Sequence, residues 1–203
     1  MFKEAFLGKT PSHFEINPIV KAYILSEVFL WSAWNFIIPI FAIFVVNEIQ
    51  GGSVEVAAGS YSAYLISRVI FELIIGRFLT KRGDRLKLLI SIFGILLMSF
   101  SYLGFYFSEN ILLIFIFYAL LGMGLGIASP AKNALFSMHL DKNKEATEWG
   151  IADGTIFICM ALATALGGLF VHQFGFRPLF VLAAIVNVIS TIPYFIFLNP
   201  KLR

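Results

Sequence analysis

A chain of 203 residues with 59% hydrophobic residues, 23 Phe and only 13% charged residues has too little polar surface to clothe a water-soluble globule. With charges confined to short stretches between long apolar runs, and a mean hydropathy of +0.87, the composition predicts an all-α integral membrane protein and leaves no polar domain for a soluble enzyme. The formal net charge of +3 belongs to the short connections rather than to a basic patch, so no nucleic-acid partner is expected.

Residues 1–18, MFKEAFLGKTPSHFEINP, lack the contiguous apolar core and the cleavage site of a secretory signal and are expected to remain as a cytoplasmic tail. Six apolar runs follow, at about 19–46, 55–79, 86–107, 111–136, 149–171 and 178–198. Each exceeds the roughly 20 residues that span a hydrocarbon core, predicting six transmembrane helices in one domain. The first, third and fifth connections, NEIQGGS, SEN and HQFGFR, hold one Lys or Arg between them, Arg177. The basic residues gather on the other side. The tail carries Lys3, Lys9 and Lys21, the second connection Arg77, Lys81, Arg82, Arg85 and Lys87, the fourth Lys132, Lys142 and Lys144, and the C-terminus Lys201 and Arg203. The positive-inside rule therefore places both ends in the cytoplasm, in a multi-pass protein of the cell membrane.

The single cysteine, Cys159, lies within an apolar run and has no intrachain partner, which excludes a disulfide or a Cys-based metal site. His13, His139 and His172 have no second ligand at metal spacing, and no phosphate-cradling loop or nucleophile elbow is present. No cofactor, metal or catalytic constellation is expected.

The chain echoes itself. Gly76-Arg-Phe-Leu-Thr-Lys-Arg-Gly83-Asp-Arg85 and Gly168-Leu-Phe-Val-His-Gln-Phe-Gly175-Phe-Arg177, 92 residues apart, share Gly, Phe, an aliphatic residue, Gly and Arg at the same spacing. Pro39 and Pro130 recur at an offset of 91. Three helices separate the copies, so they face opposite sides, as an inverted three-plus-three repeat requires.

These residues resemble one six-helix half, most like the N-terminal half, of a major facilitator superfamily transporter. The resemblance rests first on the loop between helices two and three, where Gly76, Lys81, Gly83 and Arg85 match the family pattern. Thr80 stands at its usual acidic position and Asp84 at a usually basic one. The Gly-rich stretch Gly122-Met-Gly124-Leu-Gly126-Ile-Ala-Ser-Pro130, and Leu166-Gly-Gly168-Leu-Phe with Phe174-Gly-Phe-Arg177-Pro-Leu-Phe180, are similar to the family's helices four to six. Ala163 and Thr164 replace the Gly and Pro of its drug/proton antiporters. The resemblance implies a secondary carrier moving a small solute, with or without protons, by alternating access, its cavity lined by helices one and four. It also implies a partner, either a second copy or another six-helix chain. The alternative is a membrane assembly subunit, or a truncated half, without transport of its own.

Polar groups held inside the membrane are the candidate functional residues, because burying them is costly. Glu27, Trp31 and Trp34 follow one face of the first helix, with Asn35 beside it, and are the candidate substrate and coupling residues there. Arg68 and Glu72, four residues apart on the second helix, can form an ion pair, read either as a self-neutralised strut or as a bond that substrate or a proton breaks. Lys132 and Asp153, near helix ends where charge reaches water, are candidates for a structural or gate salt bridge alongside the loop residues Gly76, Lys81, Gly83, Asp84 and Arg85.

Overall fold

The computed structural model describes residues 16–198, so Lys3, Lys9, His13, Lys201 and Arg203 lie outside the described residues. Six long helical segments account for nearly all of them: α1 (Pro18–Glu48), α2 (Val54–Leu79), α3 (Asp84–Tyr106), α4 (Ile111–Met138), α5 (Glu145–Phe174) and α6 (Phe176–Leu198). Their starts are written in the sequence. Asn17, Ser53 and Asn110 each turn a side-chain oxygen onto a free backbone N–H, of Ile19 at 2.9 Å, Val56 at 3.3 Å and Leu113 at 3.1 Å, and Pro18 fills a first-turn position that needs no N–H. Between α5 and α6 the chain reverses on Gly175 alone, whose φ of 83° lies in the left-handed region that favours glycine.

Two segments are interrupted. Pro39 converts Ile38–Ile40 of α1 into a 3-10 turn, and α6 breaks at Ser190 and Thr191, just before Pro193, because proline lacks the N–H that the helix would use. Pro130, by contrast, lies inside α4 without interrupting it.

α1, α3, α4, α5 and α6 are long and apolar enough to cross a membrane. α2, at 26 residues, falls within their range of 23 to 31 but carries Glu55, Arg68, Glu72 and Arg77. The connections alternate between two ends of the bundle. At one, Gln50 donates its backbone N–H to the Glu109 carbonyl at 3.1 Å and Arg177 donates to the Tyr106 carbonyl at 2.9 Å, joining the first, third and fifth connections. At the other, Asp84 meets His139 at 3.4 Å, joining the second and fourth. This second end also carries Lys21, Lys81, Arg82, Arg85, Lys142 and Lys144, and is called the basic end below.

The packing has a two-fold logic. α4 packs mainly on α2 and α3, α1 mainly on α5 and α6, and α3 packs on α6. Exchanging α1 with α4, α2 with α5 and α3 with α6 maps this set of contacts onto itself, the relation an inverted three-plus-three repeat produces. Lipid supplies no hydrophobic drive between helices, so close backbone approach does the joining. A Cβ on Gly122 would overlap the Tyr64 carbonyl oxygen, and one on Gly126 would stand 2.5 Å from that of Arg68. These glycines therefore form a G-x-x-x-G face against α2. Gly124 lies on the other side of α4, where Gly94 of α3 meets it backbone to backbone.

α3 and α6 are joined by a polar bond in the apolar interior. The buried Asn187 amide donates to the Ile95 carbonyl at 2.9 Å and to Ser99 Oγ at 2.8 Å. Replacing Asn187 with Ala is expected to lower stability by about 1 kcal/mol, the scale of an interhelical hydrogen bond in a membrane. Reversible unfolding in mixed micelles measures it, and an unchanged midpoint would remove this bond from the forces holding α3 on α6.

Large apolar side chains face outward all round the bundle, Phe93 and Phe100 on α3 and Ile185 and Phe195 on α6 among them. α2 presents Leu65, Ile66, Val69, Ile70, Leu73 and Ile74, and α5 presents Phe157, Ile158, Leu162, Leu166 and Leu169.

Candidate functional site

A cleft of about 360 Å³ opens in the half of the bundle next to the basic end, where α1, α2, α4 and α5 converge. Its floor is an ion pair between helices that are distant in the chain. Lys132 Nζ of α4 lies 2.6 Å from Glu27 Oε1 of α1, with side chains only 2% and 3% exposed. The second carboxylate oxygen of Glu27 accepts the Trp31 indole N–H at 2.9 Å, and the ammonium of Lys132 stands 5.8 Å from the centre of that indole ring. Both charges are thus held within the protein, and the pair takes a charge-assisted hydrogen bond and a cation–π contact in place of water.

The sequence reads Lys132 and Asp153 as structural or gate salt-bridge residues whose charge reaches water; Lys132 does form a salt bridge, but not the exposed one expected. α4 continues to Met138 and α1 covers this turn, so the side chain is buried and its partner is Glu27. Asp153 is instead exposed on the α5 wall and has no ion-pair partner among the described residues.

The remaining walls are mixed. α1 adds Tyr23, whose hydroxyl donates to Asn133 Oδ1 of α4 at 3.2 Å, and α4 adds Ser129. α5 contributes Trp149, Ile156, Phe157 and Met160 around Asp153. From α2 comes Arg68, paired with Glu72 at 3.2 Å and bonded to the Tyr64 hydroxyl at 3.4 Å; the Arg68 and Glu72 side chains are 30% and 39% exposed.

Of the residues singled out in the sequence, Glu27, Trp31, Arg68, Lys132 and Asp153 meet in this cleft, and Glu72 lies just behind Arg68. Trp34 and Asn35 do not line it. Trp34 follows the same helical face but continues past the cleft to stack on Tyr64, ring centres 4.9 Å apart, while Asn35 returns its amide to the Trp31 carbonyl of its own helix at 2.8 Å. A second, mostly apolar pocket of about 290 Å³ lies beyond that aromatic pair toward the opposite end, where the 3-10 turn of α1 faces Tyr61 of α2 and Tyr118 of α4.

The sequence profile of the Major Facilitator Superfamily matches residues 23–203, nearly the whole chain. The chain belongs to the Major Facilitator Superfamily. It is a multi-pass membrane protein of a transporter family, with the six helices of one major facilitator half. No match to a curated protein was found.

Within that family the loop between α2 and α3 carries a known pattern, and the structure places its altered residues. Thr80, at the usual acidic position, only returns its hydroxyl to the Gly76 carbonyl at 3.3 Å. Asp84, one residue past Gly83, instead pairs with Lys87 of its own helix at 3.5 Å and reaches across to His139, just past the end of α4, at 3.4 Å. Lys81 holds a positive φ of 63° at the turn, and Arg85 is exposed in the first turn of α3.

Sequence reasoning missed Tyr23, Ser129, Asn133, Trp149, Ile156, Phe157 and Met160. The signal was there on α5, since Trp149, Asp153, Ile156 and Met160 recur at steps of four, three and four residues, one face of a helix. Asp153 was read by its depth, not by its stripe.

Proposed function

We propose that the protein is a half-unit of a secondary carrier, moving a small solute through the cleft by alternating access. The observation that supports this reading is the convergence of charged side chains from α1, α2, α4 and α5 on one cleft within an apolar bundle, a costly arrangement in a membrane unless solute or protons use it. The second pocket and the Trp34 and Tyr64 stack give the reading its geometry: a cavity on each side with a thin aromatic barrier between them.

The basic end lies in the cytoplasm by the positive-inside rule, so the cleft is the inward-facing one. The exposed aliphatic faces of α2 and α5 flank the cleft and bear against a second six-helix unit, either another copy or a separate chain. Related halves share orientation and rock about a midplane site. Glu27, Trp31, Arg68 and Glu72 are the substrate or coupling residues. Asp84 with His139 is the contact that must release when α2 and α3 shift against α4.

Alternation can be read without knowing the solute. In a Cys159→Ser background, Trp149→Cys reports the cleft and Tyr61→Cys the opposite pocket, each labelled by a membrane-impermeant maleimide from its own side in oriented vesicles. Blocking one site with a bulky thiol reagent is expected to change the labelling rate of the other severalfold, because an occupied cavity biases the state that exposes it. Independent labelling would favour a static assembly subunit.

A further inference from the structure

At the basic end, α3 and α4 meet through a side-chain contact that depends on a proton. His139, just past the end of α4, turns Nδ1 to the Leu135 carbonyl at 2.8 Å and Nε2 to Asp84 Oδ2 at 3.4 Å. Both partners are acceptors. An imidazole with one ring proton can donate to only one of them, so the ring makes both contacts only as the imidazolium. Charged, it joins the first turn of α3 to the end of α4. Neutral, it keeps its proton on the shorter bond, to the carbonyl of its own helix, and turns a lone pair toward the carboxylate.

The neighbouring charges do not replace this link. The other oxygen of Asp84 lies 3.5 Å from Lys87 Nζ on its own helix, a pair that persists when the ring loses its charge. Lys87 also reaches the sulfur of Met138 on α4, 3.4 Å away, but a thioether is a weak acceptor. In the α4–α5 connection Asp141 pairs with Lys144 at 3.4 Å and gives its backbone N–H to the Glu148 carboxylate at 3.0 Å. Arg82 of the α2–α3 connection lies over the Phe78 ring at 5.2 Å, and Lys21, Lys81, Arg85 and Lys142 are exposed at the same end. The Asp84 and His139 side chains are 40% and 21% exposed, so protons reach the pair from the solvent at that end. Of these side chains, histidine is the one whose charge ordinarily changes between about pH 5 and pH 8.

We infer that His139 is a pH-operated latch: in acid on the basic side it ties α3 to the end of α4, and as the pH rises through the ordinary histidine range it lets go. This rests on the carrier reading, in which the same contact must part for alternation, and adds its regulation. Acid holds the present arrangement, with the cleft open to the basic end. Asp84 stands where the family pattern is usually basic, so the latch belongs to this chain's own sequence rather than to the shared loop.

Electron–electron double resonance reads the latch directly, with spin labels on Arg82→Cys and Lys142→Cys in a Cys159→Ser background of the full chain in nanodiscs. The distance between the two connections is expected to be narrowly distributed at about pH 5 and broader at about pH 8. His139→Gln, which cannot be charged, and Asp84→Asn, which lacks the carboxylate, should each give the broad distribution at both pH values. A distance that ignores pH, or a pH response that survives both substitutions, would overturn the latch. Maleimide labelling supplies the second arm. Reciprocal labelling of Trp149→Cys and Tyr61→Cys, taken relative to the His139→Gln variant at the same pH, should be about threefold slower in acid, the scale of one partly exposed ion pair. A pH-dependent distance without reciprocal labelling leaves the latch but removes the carrier, whereas reciprocal labelling with a pH-independent distance leaves the carrier and removes the latch.

Discussion

Replacing Lys132 with Met is expected to destabilise the protein by about 3–5 kcal/mol, because it strands the buried carboxylate of Glu27 in the interior. The Lys132 ammonium sits 2.6 Å from Glu27 Oε1 with both side chains at most 3% exposed, so water cannot replace the lost partner without opening the α1 and α4 contact. Glu27→Leu alone leaves a buried ammonium and should cost a similar amount. The double variant Glu27→Leu with Lys132→Met removes both charges and should recover most of the loss, remaining short by about 1 kcal/mol because the Trp31 indole N–H then has no acceptor. The measurement is a double-mutant cycle by reversible unfolding in mixed micelles. Losses that simply add would mean that the two groups do not stabilise each other, and that the floor of the cleft is wetter than its exposure indicates. The same cycle separates structure from transport: a stable double variant without alternation would assign the pair a functional role beyond holding α1 against α4.

Gly126→Leu is expected to cost at least about 3 kcal/mol, at or beyond the upper end of ordinary overpacking. A Cβ at this position would stand 2.5 Å from the Arg68 carbonyl oxygen and 3.0 Å from Phe71 Cβ. The obstacle is mostly backbone, which no rotamer change can move aside, so α2 must shift as a body. That shift also moves Arg68 in the wall of the cleft, and loss of stability should come with altered labelling at Trp149→Cys. Gly154→Ala gives the contrast. Nothing lies within 4 Å of a Cβ there, and an Ala within a helix is favoured over Gly, so this variant should be neutral or more stable by up to about 1 kcal/mol. If Gly126→Leu proved as mild as Gly154→Ala, the α2 and α4 contact would have to be looser than its G-x-x-x-G face requires.

Much of the architecture was legible because the membrane reduces the choices. A segment in hydrocarbon must satisfy its own backbone, so a long apolar run is read as a spanning helix, and the Gly, Phe, Gly and Arg echo from Gly76 to Arg177 pointed to a relation between triplets that the contacts of α1 through α6 also follow. Individual site residues were legible for the same reason: Glu27, Arg68 and Lys132 stood out as charges in apolar surroundings. The i, i+4 pair of Arg68 and Glu72 could be foreseen because both partners ride one helix.

The rest depended on tertiary structure. Glu27 and Lys132 are 105 residues apart, and no helical spacing relates groups on different helices, so the partner of Lys132 was decided only by how far α4 extends and how α1 crosses it. The same limit misplaced Trp34. Its angle around α1 matched that of Glu27 and Trp31, but its height put it against Tyr64 below the cleft. By itself, then, the sequence determined the solvent, the number of helices, the charge asymmetry of their ends and which charges had to be sheltered, since these follow from composition and period along one chain. Which of those charges neutralise one another, and that Asp153 faces the cleft from the α5 wall, was decided by the tertiary structure, because cancellation depends on distances between helices that no single helix records.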